Sequence, residues 1–198
     1  NWGELLPRAA AAGYNLEALR IWDHLRTIDY LCSRPDVDVR RIGAMGSSGG
    51  GSATLYTAGI DQRVMAAIVS SSPPAMPRIP EQYFLAAGNE GGRELYPGAA
   101  LPAASVYTAA LTVPRPLWVV DGVRDECVVE VARFAGRTPE EQLAWWRTVS
   151  QEARDELARL YALAGAADRF RSSWLEGGHC AGMTFGNVAA WFRHWLGL

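Results

Sequence analysis

Short uninterrupted apolar runs alternate along the chain with stretches in which apolar residues recur every three or four positions. Val64 to Ser70 is one continuous apolar run, as expected of a parallel strand covered on both faces. Pro116 to Asp121 reads as the next strand, and Phe170-Arg-Ser-Ser-Trp-Leu175 as a last short one. A short apolar run (Ile42, Ala44, Met45) leads into a glycine- and serine-rich turn, and the small-residue run Ala53, Thr54, Leu55, Ala58 leaves it as a helix. Ile21, Leu25, Ile28, Leu31 and Cys32 recur at helical spacing, which predicts a helix from the N-cap Asn15 to about Ser33 with one buried face. Residues 1–14 read as the tail of a loop. His24 falls with the polar residues Asp23, Arg26 and Thr27, and so reads as a solvated surface histidine. Thr138-Pro139-Glu140-Glu141 is a capping box with proline at the first helical position. The helix it opens carries Leu143, Trp146, Val149, Ala153, Leu157 and Leu160, as one piece to Leu163 or as two. Phe185, Val188, Phe192 and Trp195 mark a last helix, with His194 at its surface. Residues 71 to about 114 are rich in Ser, Pro, Gly and Ala, and fit a pocket wall or an ordinary long excursion equally well. This alternation of strands and helices predicts an α/β fold: a mainly parallel sheet with helices on both faces, in a single domain over residues 1–198.

Composition narrows the function classes. With 198 residues, 49% of them hydrophobic, the chain has apolar material for a sizeable core. The net charge of -2 and nineteen scattered basic residues, all of them Arg, give no electrostatic case for a nucleic-acid partner or an anionic membrane. No apolar run approaches transmembrane length, and no basic-then-apolar leader opens the chain. Cys32, Cys127 and Cys180 are an odd, sparse set without metal-ligand spacing, so no metal site is expected; reduced thiols in a cytosol are the simplest reading.

The glycine-rich turn is the candidate chemistry. Gly46-Ser47-Ser48-Gly49-Gly50 matches G-x-S-x-G between a strand and a helix, the context a nucleophile elbow needs. Ser48 is then a nucleophile on a strained turn, and Gly46 and Gly50 lack Cβ atoms that would collide where strand and helix come close. Phosphate-binding alternatives fail: a P-loop needs a lysine the chain lacks, and Gly49-Gly50-Gly51-Ser52-Ala53-Thr54 ends in Thr where a dinucleotide fingerprint wants Gly or Ala. A serine hydroxyl needs a base, and the base an orienting acid. His179, in a Gly-Gly-His turn after the last strand, is the candidate base. Asp125, in the loop after the preceding strand, is the candidate acid, with Asp121 at the strand end as its rival. The order Ser48, Asp125, His179 is that of the α/β-hydrolases. The backbone N–H of Gly49 supplies one oxyanion donor, and nothing in the chain matches a second. Cys180 reads as packing.

Around these residues the chain resembles the α/β-hydrolases, most closely the branch of acetylxylan esterase-like and dienelactone hydrolase-like proteins. The resemblance is carried by Ser33-Arg34-Pro35-Asp36-Val37-Asp38, Ile42-Gly43, the elbow through Gly51, Asp61-Gln62-Arg63, Pro114-Arg115-Pro116-Leu117 and Gly177-Gly178-His179; it is absent over residues 73–110. It implies hydrolysis of a small acyl or acetyl ester through an acyl-enzyme, with no cofactor and a small-molecule ester as partner. It also implies that the chain corresponds to the C-terminal two-thirds of the fold, with the first strands and the second oxyanion donor lying upstream. One edge of the sheet would then be bare, an invitation to oligomerise. Asp125 and His179 are 54 positions apart, which leaves room for a helical insertion or lid at residues 138–164. A prolyl-oligopeptidase-like serine peptidase shares elbow and triad order, and a catalytically silent binding scaffold is the remaining alternative.

Overall fold

The computed structural model describes residues 2–72, 106–130, 132, 136–181 and 183–198. Four strands, β1 (Ile42–Ser47), β2 (Val64–Ser70), β3 (Leu117–Gly122) and β4 (Phe170–Leu175), pair in that order, every pairing parallel. In register, Met45 lies beside Ile68, Val69 beside Val119, and Val119 beside Ser172. The expected strands are thus present, and because they are parallel all four C-terminal ends share one edge.

Alternation along the strands sorts two cores. Ala67 and Val69 of β2 with Leu117 and Val119 of β3 face one side. There they pack with Ile28 of α2 (Leu16–Ser33), Leu55 and Ala58 of α3 (Gly49–Ile60), Ala109 of α4 (Val106–Ala110), and Leu157 and Tyr161 of α6 (Pro139–Leu163). Ile68, Trp118 and Val120 face the other side, against Trp191 of α7 (Phe185–Leu196). Helices therefore cover both faces, as anticipated. On α7, Trp191 is the buried anchor, whereas Phe185, placed by periodicity on the apolar face, is 86% exposed. It is the first residue of its helix.

Several local expectations meet their causes here. Asn15 caps α2 by accepting the Ala18 N–H at 2.8 Å. Thr138 and Glu141 form the reciprocal capping box on α6, which runs as one helix of 25 residues. Its second half belongs to the main core, and its first half adds Trp146 to a cluster with Val128 and Trp174. Residues 1–14, expected as loop, contain the helix α1 (Trp2–Ala11), with Glu4 in its first turn and Arg8 in its last. The alanines and the end charges that suit the helix dipole favour the helix. Of the segment 71–114, α4 is helical; residues 73–105 lie outside those described, so the choice between pocket wall and excursion falls there.

Arg115 ties the far edge together. Its guanidinium donates to the carbonyls of Ala58 at 2.7 Å, Val64 at 2.7 Å, Asp61 at 3.1 Å and Leu111 at 3.0 Å. These include orphan carbonyls at the end of α3 and the start of β2. The buried Tyr161 hydroxyl donates to the Arg115 carbonyl at 2.7 Å, which links α6 to the same point.

Candidate active site

Ser48 follows β1 and precedes α3, with φ 55° and ψ -127°. A non-glycine residue takes this backbone only when its surroundings impose it. Two constraints are visible. The Ser48 N–H donates to the Ser70 carbonyl at the end of β2, at 2.9 Å, which fixes the turn to the sheet. A Cβ on Gly46 would lie 2.1 Å from the Gly50 carbonyl oxygen, so strand and helix approach more closely than any side chain permits. A Cβ on Gly51 would lie 2.7 Å from the Ser70 carbonyl oxygen. Gly50 differs from expectation: a Cβ there meets nothing within 4 Å, so steric relief rests on Gly46 and Gly51. As the first residue of α3, Gly49 has an N–H without an intrahelical acceptor, at the positive end of the helix.

Asp125 and His179 meet. His179 Nδ1 lies 2.9 and 3.0 Å from the two carboxylate oxygens of Asp125, which is buried and also accepts the Cys127 N–H at 3.0 Å. The hydrogen bond to Asp125 raises the His179 pKa above its ordinary value, against the downward pull of partial burial. The two loops are joined by their backbones: Val123 N–H donates to the Leu175 carbonyl and Arg124 N–H to the Gly177 carbonyl, each at 2.9 Å. Glu126, at the start of α5 (Glu126–Glu130), accepts the His179 N–H at 2.9 Å. Asp121 is engaged elsewhere. It is buried at the end of β3 and ion-paired with the buried Arg154 of α6, which also donates to the Ser173 carbonyl at 3.0 Å. Among the described residues Asp121 makes no hydrogen bond to His179.

Cys180 joins the histidine loop to the elbow. Its N–H donates to Ser71 Oγ at 2.9 Å, and Ser47 Oγ donates to its sulfur at 2.8 Å. Ser48, Ser71 and Cys180 are the non-glycine residues with positive φ among those described, and all lie at this edge. Ser48 Oγ makes no hydrogen bond among the described residues. His24 is not the solvated residue expected: it is half-buried between α2 and α3, with Nδ1 3.2 Å from Thr57 Oγ1, and burial lowers its pKa. His194 is exposed, its ring edge-on to Trp195. Glu126, Cys127 and Ser71 were not legible as site residues. The roles of Glu126 and Ser71 depend on contacts with a loop more than 50 positions downstream, which no spacing signals, and that of Cys127 on its N–H bond to Asp125.

A parallel sheet with a strained serine after one strand and an acid–histidine pair after two others defines an α/β-hydrolase fold. Residues 12–137 match the prolyl oligopeptidase family, and the chain belongs to that family. The matched span holds Ser48 and Asp125, and His179 lies beyond it. The chain is 27% identical over 179 residues to YtaP of Bacillus subtilis (strain 168), named as a presumptive hydrolase. That alignment covers 89% of this chain and 52% of YtaP, so the chain spans about half the length of this curated relative. Among solved structures, a glucuronoyl esterase from Solibacter usitatus superimposes with a TM-score of 0.64 at 19% identity, over 91% of this chain and 48% of that one. A carbohydrate esterase family 15 glucuronoyl esterase from Caldicellulosiruptor kristjansonii gives 0.61 at 20%, over 87% and 47%. The methylesterase BT1017 gives 0.59 at 23%, over 89% and 34%. These likenesses establish the α/β-hydrolase fold, in agreement with the class inferred from the elbow. No described helix is long and apolar enough to cross a membrane.

Proposed function

We propose that the chain carries the catalytic centre of a serine hydrolase that cleaves a small acyl ester, acetyl esters included. The observation that carries the proposal is the Asp125–His179 hydrogen-bonded pair on the same sheet edge as the strained Ser48. In this mechanism Ser48 Oγ attacks the ester carbonyl carbon while His179 Nε2 takes the hydroxyl proton. Asp125, at Nδ1, holds the tautomer that leaves Nε2 free and stabilises the imidazolium that forms. The tetrahedral oxyanion takes a hydrogen bond from the Gly49 N–H. Collapse breaks the bond to the alcohol, which leaves with the proton from His179. Water, deprotonated by the same imidazole, then releases the acid from Ser48. No step requires a cofactor.

A fluorophosphonate probe followed by peptide mapping tests the assignment. The expected result is label on Ser48 and a Ser48→Ala chain that neither labels nor hydrolyses p-nitrophenyl acetate. Label on Ser47 or Ser52 with Ser48 clean overturns the residue assignment, and no label with no hydrolysis favours a silent scaffold. The family match supports a second reading, a peptidase using the same acyl-enzyme chemistry. Turnover of a prolyl-peptide anilide against p-nitrophenyl acetate decides between them; faster anilide cleavage selects the peptidase.

The protonation state of His179 adds a pH test. The base must be neutral to accept a proton, so activity is lost as pH falls through its pKa. Because Asp125 raises that pKa, the acid limb of kcat/KM is expected above the ordinary histidine value of about 6.5. In Asp125→Asn the limb moves down in the residual activity. A limb that does not respond to this substitution removes the pair from the mechanism.

A further inference from the structure

Asp125, Cys127 and His179 each offer a ligand atom, and the three atoms lie within 4.8 Å of one another. The carboxylate is buried, and the thiol and imidazole are half-buried. We propose that this cluster is a binding site for a thiophilic divalent cation of the zinc class, and that occupancy switches the hydrolase centre off. The inhibitory part rests on the ester-hydrolase reading above; the binding part does not.

The donor set selects the metal. One thiolate, one imidazole and one carboxylate suit zinc, whereas calcium and magnesium prefer oxygen alone. A tetrahedral zinc with bonds of about 2.0–2.3 Å separates its ligand atoms by roughly 3.4–3.7 Å. The Nδ1 nitrogen and carboxylate oxygen are now 2.9 Å apart, so an ion seated among the three replaces the Asp125–His179 hydrogen bond, parts the two atoms by about 0.5–0.8 Å and draws in the Cys127 sulfur. Water from the exposed side can complete the coordination.

Cys127 forms no disulfide, so its half-buried sulfur stands available beside the Asp125 carboxylate and the His179 ring. Binding of the cation releases the thiol proton to solvent. Nδ1, to ligate, gives up the proton it shares with Asp125 while the imidazole takes one from solvent at Nε2, so Nε2 can no longer accept the serine proton. The imidazole and carboxylate it occupies are the groups the reaction needs free. A bound ion therefore removes the base from Ser48 without disturbing the fold. The Cys127 backbone N–H that supports Asp125 is unaffected by changing its side chain.

Cobalt(II) serves as the optical probe on the full chain. One equivalent is expected to produce a thiolate-to-cobalt charge-transfer band in the near ultraviolet. The band should be displaced by zinc, retained in Cys180→Ser and lost in both Cys127→Ser and Cys127→Ala. Two cysteine variants are used, with far-ultraviolet circular dichroism to select a folded one. Absence of the band in the unaltered chain, or its loss in Cys180→Ser alone, overturns the site. These readouts need no activity, so a failed ester assay leaves them intact. Where the chain hydrolyses p-nitrophenyl acetate, zinc should inhibit it reversibly on chelation. Cys127→Ser should require on the order of 100-fold more zinc, since loss of even an outer partner costs about 10–100-fold. Equal inhibition of the two proteins overturns the switch.

Discussion

At the scale of single residues, two carboxylates four positions apart have different occupations. Asp121 is buried against Arg154, and Asp125 is buried against His179. Asp125→Asn keeps the shape and the hydrogen-bonding capacity but presents the wrong tautomer to His179. It should lower kcat for p-nitrophenyl acetate by about 10³–10⁴ with little change in melting temperature. Asp121→Asn leaves a guanidinium buried without its counter-charge, and should destabilise by about 3–5 kcal/mol in urea unfolding. The reverse pattern, a stable but inactive Asp121 variant, would move the acid to the strand end. The sequence ranks Asp125 above Asp121 only through resemblance, because nothing local distinguishes them. Their difference is made by Arg154 and His179, both distant in the chain.

At the scale of elements, the turn holding Ser48 depends on a close crossing of β1 and α3. Gly46→Ala must part the two, and a loss of about 1–3 kcal/mol is expected, with weakened labelling of the serine. Gly50→Ala has open space for its methyl and lies in a helix, where alanine is favoured by up to about 1 kcal/mol. Thermal denaturation should therefore separate the two substitutions in opposite directions; equal losses would show that the crossing is not the constraint. The pentapeptide pattern treats both glycines alike, and only the crossing geometry tells them apart. Element positions were legible where one physical signal dominates. Val64–Ser70 is a continuous apolar run with the bounds expected of it, Phe170–Leu175 is the short strand expected before the Gly-Gly-His turn, and the capping box marks the start of α6 to the residue. The helix α1 was not legible because glycine and proline interrupt an otherwise helix-favouring stretch. Short α4 and α5, of five residues each, carry too little periodicity to be seen.

At the scale of the whole molecule, the long helix α6 is structural along its second half. Leu157 is fully buried in the core beneath the sheet, and Leu157→Ala should cost about 2–5 kcal/mol. Rates for small esters should remain near those of the unaltered chain at temperatures where the variant is folded. A selective loss of rate at full stability would instead give this helix a part in substrate binding. The parallel architecture was legible because alternating strand and helix signals admit few topologies. Asp125 and His179 were paired from their places after two strands, but the arrival of Cys127 beside them was not legible. That cluster is created when two neighbouring strands end side by side, and chain spacing carries no trace of that adjacency.

The hydrogen bond from Ser47 to Cys180 spans 133 positions, whereas the strain at Ser48 is imposed by residues no further away than Ser70. The two halves of the site therefore belong to different times in the life of a growing chain. A ribosome extends a polypeptide at about 5–20 residues per second, and earlier segments begin to organise first. The elbow can form once β2 has emerged, while His179, the base proposed for it, is still untranslated. Contacts of such long separation are also late and slow to close. A nascent chain stopped before Gly177 would thus present the bent serine with no imidazole to take its proton. On the proposed mechanism the hydroxyl would be positioned before it could be activated, and this centre would stay inert until β4 and the loop after it had docked.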